Sequence, residues 1–189
     1  MEAVLSILDT KYPTGQVAHA AEIDSATLQN WFRRGHVRGD MKDDQMIEGG
    51  GVQGRPRVFS WAAMMEVSIA ARLIEAGCSP GRAFEVAQLY SDTGDGEAGF
   101  VGVSAEDPLR KPGLPFHHGH GETILVLRGE EAEILLAKDG LVDLSMYRHS
   151  AGKVQAVVAL NVSQLFQIVA LRLGVDGREI LDKAYPGAR

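Results

Sequence analysis

TGQVAHAAEIDSATLQNWFRRGHV, running from Thr14 to Val37, is the stretch that decides how this chain is read. Thr14 is a candidate N-cap for a short helix through Ala21, with Val17, Ala18 and Ala21 on one side. Asp24 is a good N-cap for a second helix, Ser25 to Arg34, which Gly35 closes. At about 100° per residue, Leu28, Trp31 and Phe32 share one face of that helix. Ala26, Gln29, Asn30 and Arg33 share another, with Arg34 beside them. A helix of this length spans about 15 Å, enough to lie in the major groove of DNA.

Two helices joined by two or three residues suggest a helix-turn-helix. Working outward, HVRGDMKDDQMIEGGGVQGRPRVFS reads as two extended segments around a turn at Gly49, Gly50, Gly51 and Gly54. No Gly-Lys-Ser/Thr follows GGGVQG, so this is not a phosphate-binding loop. Ser60 then caps a helix with apolar residues at Trp61, Met64, Val67, Ala71 and Ile74, ended by Gly77. Ser79 and Pro80 open the next helix, which runs to about Tyr90.

The segments TGQVAHAAEIDSATLQNWFRRGHV, GRPRVFS and LIEAGCS, in this order, resemble the MerR-type DNA-binding domain and its excisionase-like relatives over roughly residues 12–90. The resemblance implies a winged helix-turn-helix in which Ser25 to Arg34 enters the major groove and the wing contacts phosphate. It matches Arg57 to the family's wing arginine, and Arg33 or Arg34 to the basic residues at the helix end. The expected DNA-binding residues are Ser25, Thr27, Gln29, Asn30, Arg33, Arg34, Arg38, Arg55 and Arg57. Asn and Gln pair bidentately with adenine, and Arg with guanine or phosphate. Trp31 and Phe32 are read as core. The chain departs from the family pattern at Gln29 and Asn30. It departs again in an acidic wing (Asp40, Asp43, Asp44, Glu48) and in lacking a long helix after the domain.

The net charge of −6 argues against a wholly basic nucleic-acid binder. Between Ser25 and Ser60, however, six basic residues face four acidic ones, a local excess of two positive charges. Cys78 is the only cysteine, read as a small buried thiol, so no internal disulfide forms. MEAVLSILDTKYPTG has neither the basic start nor the apolar core of a signal peptide, and no run is long enough to span a bilayer. A cytoplasmic, nucleoid-associated place is therefore expected.

SDTGDGEAG reads as a linker, assigned to 91–98, between the DNA-binding part and a second domain at 99–189. In that second part Glu122–Arg128, Ala132–Lys138, Leu141–Tyr147 and Val154–Val162 read as strands, with a hairpin turn at Asp139-Gly140. Ser163 is a candidate cap for a helix from Gln164 to Leu173, and Asp176 to Ala184 for another. The expected fold class is α+β: a mostly helical winged helix-turn-helix followed by a small meander-like antiparallel sheet with helices on it. LFQIVALRLG is apolar nearly all round and predicts a homodimer through residues 154–173. His117, His118 and His120 are the one cluster suggestive of a metal, with Glu122 or His149 as neighbours. No cofactor is expected, nor any local signature of an enzyme.

The expected function is a dimeric, sequence-specific transcriptional regulator on double-stranded DNA. The alternatives are an architectural DNA-binding factor for recombination, packaging or chromosome organisation, a metal- or ligand-sensing module at the histidine loop, and a protein-interaction adaptor.

Overall fold

The structure, a computed structural model, describes residues 6–37, 47–48, 56–94, 108–140 and 156–187. The chain runs through α1 (Ser6–Asp9), β1 (Tyr12–Pro13), α2 (Thr14–Ala21), α3 (Ser25–Arg33), β2 (Ile47–Glu48) and β3 (Val58–Phe59). It continues through α4 (Trp61–Glu75), α5 (Pro80–Asp92), β4 (Glu122–Arg128), β5 (Glu131–Ala137), β6 (Val157–Asn161), α6 (Val162–Arg172) and α7 (Gly177–Ala184). These helices and two small antiparallel sheets make an α+β fold, as expected.

The helix ends follow local chemistry, with three corrections. Thr14 is the first residue of α2 rather than its cap, since Pro13 already holds the extended conformation before it. Arg34 is the C-cap of α3, not its last turn. The cap of α6 is Asn161, whose Oδ1 accepts the Gln164 N–H at 2.9 Å. Ser163 is engaged elsewhere: its Oγ accepts the Thr123 N–H at 2.8 Å, tying α6 to β4. Gly35 closes α3 at φ 71, the left-handed conformation that lets the His36 N–H reach Trp31 O at 3.0 Å.

Glu22 does the same for α2 without being glycine, at φ 57. The left-handed strain is offset by its carboxylate, which accepts from Arg172 at 2.7 Å and lies 3.7 Å from Arg72. The Arg172 hydrogen bond, then its charge, holds the Glu22 carboxyl below its ordinary value of 4.5. A depressed folded-state pKa means the pairing is fully present above about pH 4.5 and is lost as the pH falls through the folded value. Thermal melts of the protein and of Glu22→Gln should therefore differ at pH 7 and draw together as the pH falls below 4.5 and through the folded value. A difference that stays constant down to acid unfolding would refute this linkage.

Helix α4 is buried almost all round, from Trp61 through Leu73, because it lies at the centre of the fold. It packs on α5, α2 and α6, and α6 also packs on α2. Phe166 of α6 is fully buried, with its ring 5.3 Å from that of Trp61, edge to face. One continuous core joins Val17, Leu28, Met64 and Phe84 to Leu125, Phe166, Val169 and Ile180. The segments expected as two domains, 12–90 and 99–189, share this core. The expected linker begins inside α5, which runs to Asp92, while residues 95–98 lie outside the described residues. The apolar α6 is thus covered by its own chain through Leu165, Phe166, Val169 and Ala170, leaving Ile168 and Leu171 exposed.

The first sheet has the order β1-β3-β2, with Phe59 between Tyr12 and Ile47. The second has the order β5-β4-β6. It is not a simple meander among the described strands, since β6 pairs with β4 rather than with β5. The expected strand Leu141–Tyr147, and with it the expected hairpin, lies outside the described residues; Asp139, just before it, has φ 55. Ahead of β4, Arg110 is 2% exposed and lies across the C-terminal end of α5. Its Nη1 donates to Tyr90 O (2.9 Å), Lys111 O (3.2 Å) and Leu114 O (3.2 Å), and its Nη2 donates to Thr93 O.

Candidate nucleic-acid interface

Asp24 enters α3 with extended backbone (φ −70, ψ 142), and its side chain makes no cap hydrogen bond. Leu28 and Trp31 turn inward, and the Trp31 ring meets Phe84 of α5 edge to face at 5.2 Å. Phe32 is half-buried and meets Phe59 of β3 at 5.6 Å. These aromatic contacts set the rotation of α3 about its axis. Ser25, Gln29, Arg33 and Arg34 are consequently exposed, and Thr27 and Asn30 half-buried. The reading of Trp31 and Phe32 as core side chains agrees with this packing.

Charge pairing separates Arg33 and Arg34 from four other arginines. Arg72 lies 2.9 Å from Glu75, Arg82 lies 2.9 Å from Glu85, Arg172 lies 2.7 Å from Glu22, and Arg128 pairs with Glu131. Among the described residues, Arg33 and Arg34 have no acidic partner. Two exposed guanidinium groups at the end of α3 thus keep their hydrogen-bond donors free of carboxylates among the described residues.

Arg57, just before β3, sits with its guanidinium carbon 4.3 Å from the Phe32 ring centroid, a cation–π geometry. The expected wing arginine and the expected groove-reading helix therefore meet through one aromatic ring. The sequence signal for this was the pair Phe32 and Phe59, whose contact only the fold reveals. Antiparallel pairing of β2 with β3 agrees with two extended segments around a turn. Arg38, Arg55, Asp40, Asp43, Asp44 and the Gly49–Gly54 turn lie outside the described residues.

The histidine loop assembles differently from the expectation. His117 Nε2 and His118 Nε2 lie 2.9 Å and 2.8 Å from the same oxygen, Oδ1 of Asp182 on α7. These two contacts, His117 first, hold the Asp182 carboxyl below the usual carboxylate range. His120 lies with its ring 5.8 Å from that of His117. Glu122 is engaged by Asn161 Nδ2 at 2.9 Å, and His149 lies outside the described residues. Cys78 is half-buried and free, at the turn between α4 and α5.

In comparisons with known proteins, no family model matches this chain, and no curated protein matches it.

Proposed function

We propose that this protein binds double-stranded DNA with sequence preference through α3 and acts as a transcriptional regulator. The observation that supports this reading is the outward face of α3. There Gln29, Asn30, Arg33 and Arg34 stand at helical spacing, with both arginines free of carboxylate partners among the described residues. Amide and guanidinium groups at that spacing supply both kinds of contact a groove-binding helix needs, base edges and phosphates. The packing of α2 against α3, with β2 and β3 beside it and Arg57 on Phe32, fits the winged helix-turn-helix of the MerR-like resemblance. The protein would act by occupying or distorting promoter DNA in the cytoplasm, with no covalent chemistry. Symmetric sites would call for a second copy, and Ile168 and Leu171 of α6 offer it an apolar surface.

Selection of fragmented genomic DNA by the purified protein tests this reading. A shared motif, lost with Arg33→Ala/Arg57→Ala, is the expected result. Enrichment without a motif would favour an architectural role, and no enrichment would sink DNA binding. On the selected site, Asn30→Ala should cost about 1–3 kcal/mol and relax the preference at one position. Arg57→Ala should weaken specific and random DNA alike and flatten the salt dependence. Equal losses on both kinds of DNA for Asn30→Ala would show that it does not read a base.

A further inference from the structure

We propose that His117, His118 and Asp182 bind a divalent transition-metal ion of the zinc type, with His120 or water completing the shell. The candidate ligand atoms of the three residues all lie within 4.8 Å of one another. A tetrahedral ion with bonds of about 2.0–2.2 Å needs its ligand atoms roughly 3.3–3.5 Å apart. The two nitrogen-to-oxygen separations, 2.9 Å and 2.8 Å, need to open by only about half an ångström to admit it. Two imidazole nitrogens and one carboxylate oxygen match zinc. They do not match magnesium or calcium, which take oxygen donors.

The cluster is held from both sides. The His117 side chain is 6% exposed, and the preceding Phe116 N–H is fixed on Thr123 Oγ1 at 2.8 Å. Tyr185, just after α7, accepts the Lys111 N–H at 2.8 Å and donates to Pro115 O at 2.9 Å, binding the loop to the end of that helix. His118, with 38% of its side chain exposed, leaves an open side through which an ion enters. A plain hydrogen-bonded staple would need one histidine. Here two rings, 4.2 Å apart, both address a single oxygen.

The proton arrangement shows what binding changes. His117 Nδ1 accepts the Gly119 N–H at 3.1 Å, so its ring proton sits on Nε2, facing Asp182. An ion on Nε2 moves that proton to Nδ1, where it opposes the Gly119 N–H. The turn from His117 to His120, closed by the His120 N–H on His117 O at 2.9 Å, must then rearrange, and this movement can bring the His120 ring towards the ion. One backbone hydrogen bond is exchanged for ligand bonds to the metal.

The site lies apart from α3, and its test needs no DNA. The full chain, without a histidine tag and stripped by chelator, is titrated with zinc alone, followed by cobalt(II) for its visible absorption. Expected are one equivalent bound at micromolar affinity or tighter and a tetrahedral cobalt spectrum. His118→Ala and Asp182→Asn should each weaken binding at least about tenfold, since loss of even an outer-shell partner typically costs about 10–100-fold. Both substitutions lie at exposed side chains and leave the buried His117 in place. Millimolar binding only, or the same affinity in both variants, overturns the proposal.

Discussion

Phe166→Ala is expected to lower the stability of the whole protein by about 4 kcal/mol, the usual cost of deleting a buried phenyl ring. For a chain of this size that is a fall in Tm of about 12 °C. The ring is fully buried and packs edge to face on Trp61, more than a hundred positions earlier in the chain. Both tryptophans, Trp31 and Trp61, lie in the first half, and Trp61 touches Phe166, so their fluorescence follows that half together with the docking of α6 on it. Because one core spans both halves, this fluorescence and far-UV circular dichroism should show one coincident transition, shifted equally in the variant. A fluorescence transition that stays in place would mean that the first half is stable by itself. It would also free α3 from any dependence on α6.

Arg110→Ala is the second large effect, expected at about 3 kcal/mol or about 9 °C in Tm. The residue is 2% exposed, yet the two terminal nitrogens of its guanidinium donate to the carbonyls of Tyr90, Thr93, Lys111 and Leu114, and the group lies 4.8 Å from the Tyr90 ring centroid. The Tyr90 and Thr93 carbonyls end α5, where a helix lacks internal donors and its dipole favours a cation. Removing the side chain takes a donor from four carbonyls at once, of which those of Tyr90 and Lys111 keep the Gly113 and Leu114 N–H groups. Arg110→Lys should recover less than half of the loss, because one ammonium cannot spread its donors across the plane the guanidinium occupies. Full recovery by lysine would show that charge alone matters there.

Local signals in the sequence were legible where the chemistry is local. Asp24 and Gly35 flank α3, although the Asp24 side chain makes no cap hydrogen bond and the helix stops at Arg33; Trp31 faces the core, and Ser60 caps α4 through the Ala63 N–H at 3.2 Å. Asn161 was missed because Ser163, two residues on, is an equally good cap type; only the position of β4 decides which side chain turns back into the helix. Asp182 was invisible for another reason. It lies 65 positions from His117, and nothing near it in the sequence points to a histidine loop. The shared core escaped a composition-based reading because polar, Gly-rich SDTGDGEAG suggests separation. The contrary hint was in α4, apolar on more faces than a small domain can cover by itself.

Shared burial also has a consequence for the order in which the protein is made. The face of α4 that receives Phe166 leaves the ribosome about 100 residues before its partner, an interval of roughly 5–20 s at ordinary elongation rates. Until then the α2–α4 surface is bare apolar, and the carbonyl of Ala20 lacks Arg172, which holds it at 2.8 Å in the finished fold. A nascent chain stalled near residue 150 should therefore be held by chaperones and cut readily by protease around Trp61, whereas one released beyond residue 187 should not.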